Sequence, residues 1–343
     1  MARVRVALIG LGMAVMPHAK SLLDLRQRVD VAYAFAPSES RRRDFQAQYP
    51  FPLCDRLETI LDDPTVAAVF ILTPPNTHLD LVRRAAQSGK HVLLEKPLEV
   101  STARSRALVE TCQAAGVRLA VMLQHRFRPG GIELRRMLAR GELGEIVGVS
   151  TSIRLWRPQS YYDQPGRGSR ARDGGGVLLT QGIHTLDLML SLAGPIVEVT
   201  GYSTTTSIHR METEDMVAAA ARFANGALGV IDATTSAFPG FPERIELACK
   251  NATAVIAGTA LDVRFHDGRV AGREADGSGG GTGADPMAFP HDYHRALIGD
   301  FLDAIANGRE PAVSGVEALK VHHLIDALLE TSRTSRPVAV SGG

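Results

Sequence analysis

Residues 4–9, "VRVALI", form a short apolar run that stops at Gly10-Leu11-Gly12, and a helical pattern follows to about Leu25. A strand, a glycine turn and a helix in that order restrict the fold more than any other stretch. The glycines permit a tight turn and close approach of an anionic group to the helix N-terminus, where free N–H groups favour negative charge. The third position of the usual G-x-G-x-x-G pattern holds Val15.

The same alternation continues. Strand patterns at 31–35, 66–72, 91–94 and 117–123 are separated by helical ones starting at 41 and covering 79–88 and 101–115. Strands alternating with helices predict βαβ units, hence a doubly wound parallel sheet and a Rossmann dinucleotide-binding domain over 1–123. After Gln124 the rhythm changes. A helix at 132–140, a strand at 145–156 and a helix opened by three glycines at 174–176 precede strand patterns at 196–207, 216–223, 228–237, 244–248, 253–257 and 261–265. That succession predicts an α/β domain over 124–343 with a large, mostly antiparallel open sheet. Residues 272–286 are glycine-rich and read as a mobile loop; helices return at 293–307 and 316–332.

A chain of 343 residues exceeds one average core, which supports two domains. With 38 basic and 37 acidic residues the net charge is +1, giving no electrostatic case for nucleic acid or an anionic membrane surface. A small-molecule partner is expected. Cys54, Cys112 and Cys249 are scattered without metal spacing, in keeping with a reducing compartment. The apolar run at the N-terminus is too short for a signal peptide, and no uninterrupted apolar run reaches membrane-spanning length. The expected location is cytoplasmic.

Candidate chemistry lies in "GGGVLLTQGIHTLDL", residues 174–188, where α-helical spacing puts Thr180, His184 and Asp187 on one face. An imidazole is the common proton acceptor near neutral pH. Asp187 reads equally as a catalytic group or as a buried anchor to arginine or backbone. The second strand ends at Ala34-Phe35-Ala36-Pro37-Ser38 without the carboxylate that usually binds the ribose of NAD. Ser38 and Arg41-Arg42-Arg43 follow, which tilts the expectation from NAD toward NADP, with Glu39 as an alternative ribose acid.

The ordered segments "TPPNTH" (73–78), "GKHVLLEKPL" (89–98), "GELGEIVGV" (141–149) and "GDFLDAIANGREPAVSGVEAL" (299–319) resemble the Gfo/Idh/MocA family of NAD(P)-dependent oxidoreductases over nearly the whole chain. "LQHRF" (123–127) and the stretch from Tyr161 to Leu188 are similar to its sugar and nucleotide-sugar dehydrogenases. The resemblance implies that Lys96 and His184 are catalytic. It places Gly10, Gly12, Met13, Ala14, Ser38, Arg41, Arg42, Thr73, Pro74, Asn76, His78, Glu95, Lys96 and Gln124 at the cofactor. Arg126, Arg157, Tyr161, Thr180 and His184 are then the substrate candidates, and the three glycines would let the chain pack beside the cofactor. Thr180 stands where inositol dehydrogenases of the family carry Asp. No metal is expected, because His291/His294 and His322/His323 lack a convergent carboxylate in the sequence. The expected activity is hydride transfer between nicotinamide and a secondary alcohol or ketone of a sugar, cyclic polyol or nucleotide sugar. The alternatives are a redox-neutral NAD-dependent glycoside hydrolase and a non-catalytic NAD(P)-binding sensor. The long apolar strand run from Met216 to Phe265 also predicts a homodimer or homotetramer through the C-terminal sheet.

Overall fold

The computed structural model describes residues 3–276 and 290–341. The chain forms two compact units, one of residues 1–124 with 291–319 and one of 125–290 with 320–343. Most of the stretch expected as a mobile loop, 277–286, lies outside the described residues.

In the first unit six strands lie in the order β3-β2-β1-β4-β5-β6. They are β1 (Val4–Ile9), β2 (Val29–Phe35), β3 (Leu53–Cys54), β4 (Ala68–Ile71), β5 (His91–Leu94) and β6 (Leu119–Val121), and every pair is parallel. Helices α1 (Val15–Asp24), α2 (Glu39–Gln46), α3 (Leu57–Leu61), α4 (His78–Gln87) and α5 (Thr102–Ala114) make the crossovers. Because crossover helices cover both faces, the central strands are buried without alternation, as in the four consecutive buried residues of β4. Helix α4 follows its sequence period, with Leu79, Val82, Ala85 and Ala86 buried on one face. Ser38 and Ser101 cap α2 and α5 by accepting the N–H of Arg41 and Arg104. The strand order reverses between β1 and β4, the position at which doubly wound sheets bind nucleotides.

The second unit is built on a nine-stranded sheet in the order β14-β13-β12-β11-β7-β10-β9-β8-β15. Its strands are β7 (Ile146–Arg154), β8 (Ile196–Thr204), β9 (Met216–Phe223), β10 (Leu228–Thr234), β11 (Arg244–Cys249), β12 (Ala252–Ala257), β13 (Ala260–Phe265), β14 (Val270–Arg273) and β15 (Val338–Ala339). Only β7 and β10 pair in parallel; the other neighbours are antiparallel. Here burial alternates, as at Ala252, Ala254 and Ile256 of β12. Helices α6 (Pro129–Ala139) and α9 (Ile183–Ala193) pack on one face; α7 (Gln159–Tyr162) and α8 (Arg170–Asp173) are single turns. Tyr202, Leu228 and Val230 stand on the opposite face, 75, 60 and 53 % exposed. The stretch Arg170–Ala193 is long and apolar enough to cross a membrane by composition alone, but 78% of its apolar window is buried in the protein, as a core helix is.

The sequence reading assigned everything after 123 to one domain. In the structure the segment 291–319 joins the first unit. Helix α10 (Asp292–Asn307) packs against α1, and Phe301 meets Phe70 of β4 edge-on at 6.2 Å. Val313 O then accepts the N–H of Val121 at 3.0 Å beside the outer edge of β6. Helix α11 (Gly315–Thr334) follows.

Candidate active site

Several residues expected to bind the nucleotide lie around the β1/β4 reversal. Gly10 has φ +103°, and a Cβ there would lie 2.9 Å from the Leu72 carbonyl and from Thr73 Cγ2. Both conformation and packing therefore require glycine. A Cβ on Gly12 would meet no protein atom within 4 Å, so the chain's own packing leaves open room there. A pyrophosphate at the helix start is the group that would use that room. Ala14 leaves the start of α1 without a side-chain cap, and its first turn has no acid, so its N–H groups suit an anion.

At the end of β2 the Ser38 hydroxyl caps α2 and lies 2.8 Å from Ser40 Oγ. Arg42 Nη1 donates to Ala36 O at 2.6 Å and Pro37 O at 3.2 Å, which holds its guanidinium against the strand end. Glu39 pairs with Arg43 at 3.3 Å, and Arg41 is exposed. Thr73 Oγ1 contacts Thr77 Oγ1 at 2.7 Å; Pro74 and Asn76 are exposed beside it. Gln124 is buried.

Two expected cofactor residues prove to serve the frame. His78 is completely buried, with Nδ1 3.1 Å from both Pro97 O and Leu98 O and Nε2 2.9 Å from Thr73 O. Burial lowers its pKa, so the ring is neutral and one nitrogen at a time donates. Glu95 turns inward: Oε1 lies 2.7 Å from His18 Nε2, and Oε2 accepts the Lys96 N–H at 3.1 Å. His294, half of a histidine pair with no carboxylate near it in sequence, joins this cluster, its ring 5.3 Å from that of His18. Lys96 itself is partly exposed.

The glycine-rich segment of the second unit departs from simple α-helical spacing. Gly174 ends α8 at φ 79°, and Leu178–Gly182 is a π-helical turn that runs into α9. A wider turn breaks the single face expected for Thr180, His184 and Asp187. A Cβ on Gly176 would sit 1.8 Å from Glu214 O, so close packing against this neighbouring loop, within the same unit, accounts for that glycine rather than the expected packing beside a cofactor. The Glu214 carboxylate accepts from Gly176 N at 3.1 Å and Leu178 N at 3.3 Å, anchoring the helix start. Burial pushes its carboxyl above the ordinary range.

The Thr180 hydroxyl turns back to donate to Gly176 O at 2.7 Å and contacts Gln181 Oε1. Asp187 is buried and receives Arg126 Nε at 2.7 Å and Nη2 at 2.6 Å. That bidentate pair gives both residues a structural anchor. In contrast, every residue from Gln181 to Met189 is buried except His184. The His125 ring stacks on His184 at 4.8 Å and is held in turn by Arg128 Nη2 at 2.6 Å; Arg128 pairs with Glu243 at 3.2 Å.

Arg157 is buried and donates to Trp156 O at 2.7 Å, with its guanidinium 5.9 Å from the Tyr161 ring. Tyr161 is partly exposed and also faces Arg167 at 5.0 Å. Behind them His209 bridges Asp215 Oδ2 (2.7 Å) and Arg157 O (2.8 Å), both through buried groups. His18, His125, Glu214 and the His209–Asp215 pair were absent from the sequence expectations, because their partners lie 38 to 77 residues away or outside any motif.

Residues 4–123 match the model of the oxidoreductase family with an NAD-binding Rossmann fold, and residues 132–255 match the GFO/IDH/MocA C-terminal domain. The chain is 26% identical over 323 residues to scyllo-inositol 2-dehydrogenase (NAD(+)) of Bacillus subtilis, covering 92% of this chain and 90% of that protein. It is 27% identical over 287 residues to D-xylose 1-dehydrogenase (NADP(+)) 2 of Haloferax volcanii, covering 82% of each. Its fold is that of the WlbA dehydrogenase from Bordetella pertussis, crystallised with NADH and UDP-GlcNAcA, at a TM-score of 0.85 and 24% identity over all of both chains. With both halves matched and the nucleotide-binding turn in place, the chain belongs to the Gfo/Idh/MocA family of NAD-binding oxidoreductases.

Proposed function

We propose that this oxidoreductase moves hydride between nicotinamide and a secondary alcohol or ketone carbon of a sugar, cyclic polyol or nucleotide sugar, with Lys96 and His184 as its catalytic residues. The observation that carries the assignment of His184 is its accessibility in an otherwise buried run, on a helix whose start and flank are tied down by Glu214 and His125. In the oxidative direction the imidazole takes the hydroxyl proton while the Lys96 ammonium stabilises alkoxide character, and the C–H electron pair leaves as hydride. A bound nicotinamide supplies the hydride acceptor. Tyr161, faced by two guanidinium groups, offers a platform for a sugar ring. The relatives that act on scyllo-inositol and D-xylose support the substrate class.

The test is a panel of inositols, aldoses, anhydrosugars and nucleotide sugars with NAD and NADP, followed at the absorbance of the reduced cofactor. Accumulating NAD(P)H on a panel member is the expected result. Sugar cleavage without net NAD(P)H would point to a redox-neutral hydrolase, and cofactor binding without turnover to a sensor.

For the cofactor we propose that NADP binds at least as tightly as NAD. Support comes from the strand end without a paired ribose carboxylate and from Arg42 held there by Ala36 and Pro37, with Arg41 exposed one residue away. Arg41→Ala is expected to weaken NADP by about tenfold, one charge-assisted contact, and to leave NAD unchanged. Fluorescence titration of both cofactors decides; a clear NAD preference that Arg41→Ala and Arg42→Ala leave intact would reverse the reading.

We also propose a homodimer or homotetramer through the face of the nine-stranded sheet opposite α6 and α9. Tyr202, Ala218, Ala220, Leu228 and Val230 share that face between the Arg222–Glu198 and Arg154–Asp232 ion pairs. Exposed apolar side chains rimmed by charge are a common form of association surface. Val230→Glu combined with Tyr202→Glu is expected to shift the species in light scattering to the monomer. A wild-type monomer at micromolar concentration would exclude the proposal.

A further inference from the structure

Glu95 carries an acid into the nearly buried space behind the Lys96 peptide, and such a group needs donors. Its donors come from two directions: the Lys96 N–H on its own loop, at 3.1 Å, and His18 of α1, 77 residues away in sequence, at 2.7 Å. His18 is completely buried, edge-on to Phe70 at 6.2 Å and to His294 at 5.3 Å. Its Nδ1 is buried without a hydrogen-bond partner. The neutral ring with its proton on Nε2 satisfies this arrangement, because a second proton would bury an unmatched N–H. On the far side of Lys96, His78 holds the Pro97 and Leu98 carbonyls, and Glu99 accepts the N–H of Val100 at 2.7 Å. The Lys96 peptide is thus clamped at both ends, and an imidazole from another element contributes to the upstream clamp.

We propose that His18 is a positioning residue for the reaction: by donating to Glu95 it keeps the carboxylate on the Lys96 amide and so fixes where the Lys96 side chain starts. This rests on the role given to Lys96 above. Burial pushes the Glu95 carboxyl up, but the hydrogen bond from His18 leads the opposing effects and the carboxyl ends below its ordinary value. Burial brings His294 down to about 3, so that ring carries no charge to set against the Glu95 carboxylate. The titratable groups around Glu95 are His18 of α1, His294 of α10, His78 of α4 and Lys96 itself. Loss of the His18 donor leaves burial unopposed by its main counterweight, and the carboxyl must rise.

His18→Gln, His18→Leu and His18→Asn separate this from plain packing. Gln can return an N–H near the Nε2 position; Leu cannot donate, and Asn is too short to reach Glu95. With the panel substrate and its cofactor, His18→Gln is expected to stay within about fivefold of the parent kcat, whereas His18→Leu and His18→Asn lose about 10–100-fold, as displaced reacting groups do, with cofactor KM nearly unchanged. The latter two also gain a new limb in kcat, rising with pH as the raised Glu95 carboxyl ionises. Adding Glu95→Gln to His18→Leu removes that limb. Infrared difference spectra over a pH titration, which need no substrate, are expected to show a protonated carboxyl band in His18→Leu that persists to higher pH than in the parent and is missing from the double variant. Circular dichroism and NADH fluorescence confirm that each variant is folded. Unchanged kcat and pH profile in both His18→Leu and His18→Asn overturn the proposal, as does a limb that survives Glu95→Gln. If the parent turns over no panel member, the proposed function fails; the infrared band then decides the His18–Glu95 coupling by itself.

Discussion

Alanine at Lys96 or at His184 is expected to lower turnover by about two to four orders of magnitude, the usual loss for a general acid–base or charge-stabilising group. Cofactor binding should be nearly intact, because the glycine turn at Gly10 and Gly12 and the strand end at Arg42, where we propose the cofactor binds, are formed without either side chain. The two losses should not add, since both groups serve one proton transfer and its alkoxide. Stopped-flow measurement of the hydride step, with either cofactor in excess, separates a chemical defect from slow product release. Thr180→Ala provides the contrast: its hydroxyl is directed to Gly176 O, so a several-fold effect is expected. Full turnover in His184→Ala with none in Lys96→Ala would assign the proton to Lys96 alone and leave His184 as a packed helix residue.

The second large effect is on stability. Asp187 and Arg126 are both buried and joined by two short hydrogen bonds at 2.6 and 2.7 Å. Removing one partner strands a buried charge, so Arg126→Met or Asp187→Leu should each cost about 3–5 kcal/mol in unfolding free energy. Replacing both together should recover much of that, because the cost of a buried pair lies largely in desolvating it. Urea denaturation of the two single variants and the double variant forms a complete cycle. If Asp187→Asn unfolds like the parent while its turnover is abolished, Asp187 takes part in the chemistry and the anchoring role is wrong.

Much of the fold could be read from period alone. Short apolar stretches bounded by turn residues put β1, β5, β9 and β13 within one residue of where they fall. The two-residue strands β3 and β15 carry too few positions for a period to register. The site was legible where a motif holds its residues next to one another, as at Gly10-x-Gly12 and Glu95-Lys96-Pro97. It was not legible where long-range packing decides. The face expected for Thr180, His184 and Asp187 assumed α-helical spacing, and the π-turn at 178–182 accompanies the close approach of Gly176 to Glu214, 38 residues on. His78 and Arg126 both lie in recognisable motifs, but only the fold shows His78 bonded to the Pro97 and Leu98 carbonyls and Arg126 paired with Asp187.

The return of residues 291–319 to the first unit governs how this protein can be dissected. A gene fragment stopped after Gln124 would encode all six parallel strands and still lack the helix carrying Leu297, Ile298 and Phe301, which are buried there. It would also bare the rim of β6 that Val313 covers, leaving an open strand edge beside an apolar surface, a recipe for inclusion bodies. A portable nucleotide-binding module from this scaffold has to be spliced from two exon-like pieces, 1–124 and 291–319, joined by a designed linker.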